Sequence, residues 1–155
     1  MKKSNYLFFI FLFFTFLFFF SKSIAEENKK YLSLKKSTVN LRQGPSKEYP
    51  IKLVYKKKFL PVEVLDSWEN WRKIKDFENN SGWIHISLLT GKKTAINNMN
   101  NAVIFNSDSI YSRPIVKLEK GRLLFIKKCK SDWCKVTSEK YTGWIKRKSL
   151  WGKLN

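Results

Sequence analysis

Val62-Glu63-Val64, Trp71-Arg72-Lys73-Ile74 and Gly82-Trp83-Ile84 follow one another in order, and they return. The second series is Leu124-Phe125-Ile126, Trp133-Cys134-Lys135-Val136 and Gly143-Trp144-Ile145. The offset is 62 for the first two landmarks and 61 for the third. Downstream, Ser87-Leu88-Leu89 answers Lys148-Ser149-Leu150; upstream, Val39-Asn40-Leu41 answers Ala102-Val103-Ile104 at an offset of 63. Self-similarity at a near-constant spacing marks a unit of roughly 55–60 residues present twice. Within each unit the apolar period is two, as where Val62 and Val64 alternate with Glu63 and Leu65. Short alternating segments rich in β-branched and aromatic residues read as strands. Gly44-Pro45 and Asn79-Asn80-Ser81-Gly82 read as turns. No helical period is sustained, so the fold class is all-β. Five or so short strands per unit favour a small closed barrel, which removes exposed edges. The expected units are residues 31–90 and 102–152. Residues 91–101 are expected as linker, since Asn97-Asn98-Met99-Asn100-Asn101 has no apolar period. Units this small bury modest cores, so they are expected to lean on each other or to be stapled.

The ordered motifs Val39-Asn40-Leu41-Arg42-Gln43-Gly44-Pro45-Ser46, Val62-Glu63-Val64-Leu65, Trp71-Arg72-Lys73-Ile74 and Gly82-Trp83-Ile84-His85 resemble the bacterial SH3 (SH3b) domain. The second unit keeps the later motifs. It departs at Val103-Ile104-Phe105-Asn106-Ser107-Asp108, which has neither the Arg nor the Gly-Pro. The tandem arrangement, the apolar N-terminus, the Cys129/Cys134 pair and the Leu150-Trp151-Gly152 ending are similar to exported SH3-like proteins of proteobacteria. The resemblance covers residues 31 to 152. It implies two tandem SH3-like β-barrels and a binding module, often tied to the cell wall. It fixes no ligand, because fold does not imply function.

The chain has 155 residues, with 31 Lys+Arg against 12 Asp+Glu, a formal net charge of +19. Nine of the 13 Phe lie between Phe8 and Phe20, inside an apolar run from Tyr6 broken only by Thr15. Lys2 and Lys3 precede the run, and Ser23 and Ala25 offer small residues at its exit. A positive start, a short apolar core and a small-residue exit describe a secretory signal peptide over residues 1–25, cleaved between Ala25 and Glu26. The rival is a retained anchor, for which the run falls short of the roughly 20 residues a spanning helix needs. Cleavage leaves 130 residues, periplasmic or secreted, that touch membrane only transiently through the leader. These carry 28 basic and 12 acidic residues, a charge of +16. A surface of that sign attracts polyanions. Yet Lys outnumbers Arg 26 to 5, and the Lys are scattered, which a biased genome composition and a solvated face explain equally. Export argues against nucleic acid as the partner.

A catalytic set is not visible, and we expect no enzyme, no cofactor and no metal. His85 is the lone His, with no nucleophile or acid in its motif. Glu63, Asp66, Glu69, Asp76 and Glu78 alternate with Lys and sit near turns, so they read as surface residues. Cys129 and Cys134 flank Lys130-Ser131-Asp132-Trp133, a hairpin turn in which paired strands bring Cα atoms within disulfide range. An exported chain meets an oxidising compartment, so a Cys129–Cys134 bond is expected, with free thiols or a poor metal pair as alternatives. Trp83 and Trp144 are expected in the cores, as large aromatics dominate small ones. Tyr49, Tyr55 and Trp68 have no aromatic counterpart in the second unit. Together with Arg42 and Trp71 they are the candidate ligand residues, since flat apolar faces with a few polar orienters make a binding groove. The groove is expected between the loop Arg42–Pro50 and the turns Ser67–Asn70 and Asp76–Ser81. The function expected is binding of peptidoglycan peptides through the first unit. The alternatives are another periplasmic protein's extended peptide in that groove, or a polyanion held by charge.

Overall fold

The computed structural model describes residues 29–154. The expected signal peptide, and its expected cleavage between Ala25 and Glu26, lie outside the described residues. The first unit contains β1 (Lys30–Leu34), β2 (Val39–Arg42), β3 (Ile51–Tyr55), β4 (Pro61–Trp68), β5 (Trp71–Lys75), β6 (Ser81–His85) and β7 (Leu89–Thr90). Its sheet is ordered β3-β2-β6-β5-β4-β1-β7. The second unit contains β8 (Thr94–Asn97), β9 (Ala102–Phe105), β10 (Pro114–Leu118), β11 (Leu123–Lys130), β12 (Trp133–Ser138), β13 (Tyr141–Lys146) and β14 (Leu150–Gly152). Its order, β10-β9-β13-β12-β11-β8-β14, repeats the first strand for strand. All pairings are antiparallel, and the only helical pieces among the described residues are the 3-10 turns Ile86–Leu88 and Arg147–Ser149. The chain is two tandem all-β units of one topology, as the repeat predicts.

Alternation sets the faces. In β2, Val39 and Leu41 are buried while Asn40 and Arg42 are half-exposed. In β6, Gly82 and Ile84 are buried and Trp83 and His85 are not. The first core gathers Leu34, Val39, Leu41, Val62, Ile74 and Ile84; the second gathers Ile104, Leu124, Val136 and Ile145. The interior partner of each Gly-Trp-Ile motif is therefore the isoleucine. This corrects the expectation for Trp83, which is half-buried on the outer face; Trp144 is buried as expected, at 9% exposure, with the Lys128 and Lys130 ammonium groups 5.6 and 5.1 Å from its ring centre. The motif's glycine has its own reason. A Cβ on Gly82 would sit 2.6 Å from the Arg42 carbonyl oxygen, and one on Gly143 would sit 2.4 Å from that of Phe105. Only a residue without a side chain lets β2 and β9 cross so close to β6 and β13.

The expected linker is mostly not linker. Thr94–Asn97 is β8, fully buried, paired with β11 on one side and β14 on the other. Its polar ends hid it, and both have partners. Thr94 Oγ1 lies 2.6 Å from Ser33 Oγ and donates to the Phe59 carbonyl. Asn97 Nδ2 donates to the carbonyls of Met99 and Glu119. Satisfied in this way, buried polar groups cost little. Only Gly91-Lys92-Lys93 separates β7 from β8. The units lean on each other as expected. Ile96 of β8 belongs to the first core, and Leu123 packs against it. Trp151 of β14 sets its ring edge-on to Tyr31 at 5.2 Å and lies 6.5 Å from Phe77, both in the first unit.

The hairpin staple is present. Cys129 and Cys134 face each other in the β11–β12 register and form a disulfide across a Cα–Cα distance of 4.0 Å. Two acids expected at the surface are buried. Glu63 is ion-paired with Lys75 at 3.2 Å and Lys29 at 3.7 Å. Asp76 accepts from the backbone N–H groups of Glu78 and Asn80 and from Asn80 Nδ2, organising the turn it heads.

Candidate functional site

The outer faces of β2, β6 and β5 lie side by side. Arg42 stands opposite Trp83, Trp83 opposite Lys73, and Trp71 opposite His85. With the 3-10 turn Ile86–Leu88 they bound a hollow of about 390 Å³ lined by Thr38, Asn40, Arg42, Lys47, Trp71, His85, Ser87 and Leu88. The floor is the Trp71 face, and His85 meets it edge-on at 5.3 Å. His85 Nδ1 lies 2.8 Å from Ser87 Oγ and accepts from the Ser87 N–H, so the ring is fixed by the turn it caps. Arg42 spends one arm on its own loop, donating from Nη1 to the Tyr49 carbonyl at 2.7 Å. That bond holds the loop Gln43–Pro50 folded, and the rest of the guanidinium faces the hollow with Lys47. The site thus offers two cations, one aromatic face, an amide and hydroxyls. A flat apolar surface ringed by a few fixed polar groups suits a small polar ligand.

Of the five expected ligand residues, the hollow brings together Arg42 and Trp71. Trp68 is opposite Trp71 at the end of the same hairpin and is 60% exposed, but it does not line the hollow. Tyr49 is exposed and its ring covers Gly44, where it shapes the loop. Tyr55 is corrected outright. It is only 7% exposed, and its hydroxyl donates to Asp76 Oδ2 at 3.0 Å. Burial, then the Asp76 carboxylate, pushes its phenol well above the usual range. It is a strut inside the unit. The expected walls Ser67–Asn70 and Asp76–Ser81 contribute no lining residue. Lys47 comes from the expected loop Arg42–Pro50, whereas Asn40, His85 and Ser87 were missed as ligand residues. Asn40 had a signal, since it alternates with the core residues Val39 and Leu41 and so had to share a face with Arg42.

The second unit shows what the same face becomes without the front motif. Phe105 occupies the register position of Arg42, opposite Trp144, and Lys146 that of His85, opposite Trp133. Phe105 packs edge-on against Trp133 at 5.8 Å, and Lys146 lies over the same ring at 4.2 Å. Trp133 is left 8% exposed. The side chains of this unit cover its own tryptophan. Its floor is closed where that of the first unit is open.

Among the described residues no three of His, Cys, Asp and Glu cluster as a metal site would need, and no cysteine is free. No helix among them is long and apolar enough to cross a membrane.

Comparison with known families matches the bacterial SH3 domain to residues 35–91 and again to residues 100–152. No curated protein matches the chain. Among solved structures, it is similar to NlpC2 of Trichomonas vaginalis, with 13% identity and a TM-score of 0.38, over 83% of this chain and 50% of that one. NlpC1 of the same organism gives 13% identity and 0.38, over 83% and 47%. An NlpC/P60 family protein of Bacillus cereus gives 10% identity and 0.35, over 79% and 56%. The chain thus spans about half the length of these structures.

Proposed function

The chain belongs to the bacterial SH3 domain family, and on that premise we propose that it is an exported, non-enzymatic binding protein that holds short peptides of cell-wall peptidoglycan in the hollow of its first unit. One observation carries the reading: Arg42, Lys47, Trp71 and His85 line an open site whose counterpart is closed in the second unit by Phe105 and Lys146. Wall peptides are short and bear free carboxylates. Arg42 presents a planar fork suited to a carboxylate, and Lys47 adds a second cation. Trp71 provides stacking area for an aliphatic stem, and Asn40 and Ser87 can pair with backbone amides. The hydroxyl that does stand beside a base there, Ser87 Oγ at 2.8 Å from His85 Nδ1, is bound into the 3-10 turn that His85 caps, which favours binding over turnover.

Co-sedimentation with intact peptidoglycan sacculi at about 0.05 and 0.5 M salt tests the reading, since the higher salt shortens electrostatic screening to well below about 10 Å. Specific recognition persists at the higher salt and falls in Arg42→Ala and Trp71→Ala. Binding confined to the lower salt, or none, overturns it.

A further inference from the structure

The joint between the units carries a feature that the hollow does not explain. Phe59 has φ of 64°, a left-handed backbone that a bulky residue rarely adopts. Both units hold it there. Its N–H donates to the Leu34 carbonyl, and its carbonyl accepts from Thr94 Oγ1 of the second unit. Ser33 Oγ lies 2.6 Å from Thr94 Oγ1 and 2.8 Å from the Lys92 carbonyl, within donating reach of either. The strained backbone turns the Phe59 ring toward Phe125 of β11, with centres 5.6 Å apart and planes at 75°. Lys58 lies 4.8 Å from the Phe59 ring centre, and the Lys92 ammonium lies 5.9 and 5.8 Å from the two rings. Beside them a depression of about 530 Å³ is lined by Lys92, Lys93, Phe125, Ile126, Lys127, Thr137 and Glu139. The only acid there, Glu139, is taken by Arg122 at 2.7 Å. None of Lys58, Lys92, Lys93 and Lys127 pairs with a carboxylate among the described residues.

We propose that this joint is a second binding site, for linear polyanions bearing successive phosphate or carboxylate groups. Three ammonium groups, Lys92, Lys93 and Lys127, from two separate segments line one concave surface without a carboxylate partner, and Lys58 adds a fourth at the adjoining Phe59 ring, a concentration of like charge that an arriving anion relieves. Phe125 in the lining and Phe59 beside it give the chain between the charges an apolar surface to lie on, and the short connection Gly91–Lys93 sets where the backbone of Lys92 and Lys93 sits. A diffuse basic surface would have neither property.

The test measures binding of inorganic polyphosphate and of polygalacturonate to the protein across a salt series, by fluorescence anisotropy of labelled polymer. The variant Lys92→Gln/Lys93→Gln/Lys127→Gln is compared with Lys117→Gln/Lys120→Gln/Lys148→Gln, which removes the same charge from exposed positions elsewhere. The joint triple is expected to weaken binding at least tenfold, and to flatten the slope of log K against log salt by about two, near 0.7 per cation lost. The control triple should lose less than threefold. A preference for one polymer names the anion; equal affinity per charge leaves the class as stated. Equal losses in the two triples, or no binding of either polymer by the unaltered protein, overturn the proposal. The joint triple should still sediment with sacculi at the higher salt, which separates this site from the hollow.

Discussion

Tyr55 and Asp76 form a buried pair whose meaning is internal. The phenol sits among apolar neighbours with the Asp76 carboxylate as its acceptor, and both push its ionisation upward. The sign follows: a raised folded pKa contributes stability fully below the unfolded value, about 10, and that contribution fades as pH rises past it. Tyr55→Phe should cost about 1.5 kcal/mol at neutral pH, toward the low end for a bond to a charged acceptor, because Asp76 keeps three other donors. Urea unfolding at about pH 7 and 10.5 checks it, since the gap between the two proteins should narrow at the higher pH. In the hollow, Arg42→Ala and Trp71→Ala should each weaken wall binding about tenfold or more, the size expected of an anchor. Tyr49→Phe and Tyr55→Phe should leave it within about twofold, as neither ring lines the site. These differences mark what single residues disclosed in the sequence. Arg42 was visible because it heads a motif, and Trp71 because it recurs. Tyr55 was misplaced because its partner is 21 positions away and β3 shows no alternation that would have turned its last residue inward.

At the scale of elements the repeat did most of the work. The strand triplets Pro61–Trp68, Trp71–Lys75 and Ser81–His85, and their counterparts, were legible because period two and recurring tryptophans coincide. The Cys129–Cys134 staple was legible because a hairpin turn of known length separates the two strands. β8 was not, because a four-residue strand with polar ends looks like loop until Ser33 and Glu119 are known to meet it. Two predictions belong here. Gly82→Ala forces a methyl against the Arg42 carbonyl and Leu41, so β2 must shift. It should destabilise by about 1–3 kcal/mol, the usual cost of overpacking, and weaken wall binding by displacing Arg42; thermal unfolding and sedimentation read the two effects. Replacing both Cys129 and Cys134 by Ala should cost only about 1–2 kcal/mol, because the closed loop is so short. The hollow, in the other unit, should bind as before.

The whole molecule is one object rather than two beads. Ile96 in the first core, Trp151 between Tyr31 and Phe77, and the Ser33–Thr94 bond make the joint part of both interiors. Calorimetry should therefore show a single unfolding transition. Trp151→Ala should cost about 3 kcal/mol, and should either lower that transition as a whole or split it in two. Two separable transitions in the unaltered protein would contradict the shared interior. Trp151 lies in β14, the last strand of the described residues, yet it seats against Tyr31 in the first. Synthesis runs in the opposite sense, from Tyr31 to Trp151, at roughly 5–20 residues per second. The first unit must wait for β14, made about 120 residues after Tyr31, before its own surface is sealed. Through most of its birth the polypeptide is an open, threadable chain, and a truncated nascent form lacking β14 should be cut readily by protease where the finished protein resists.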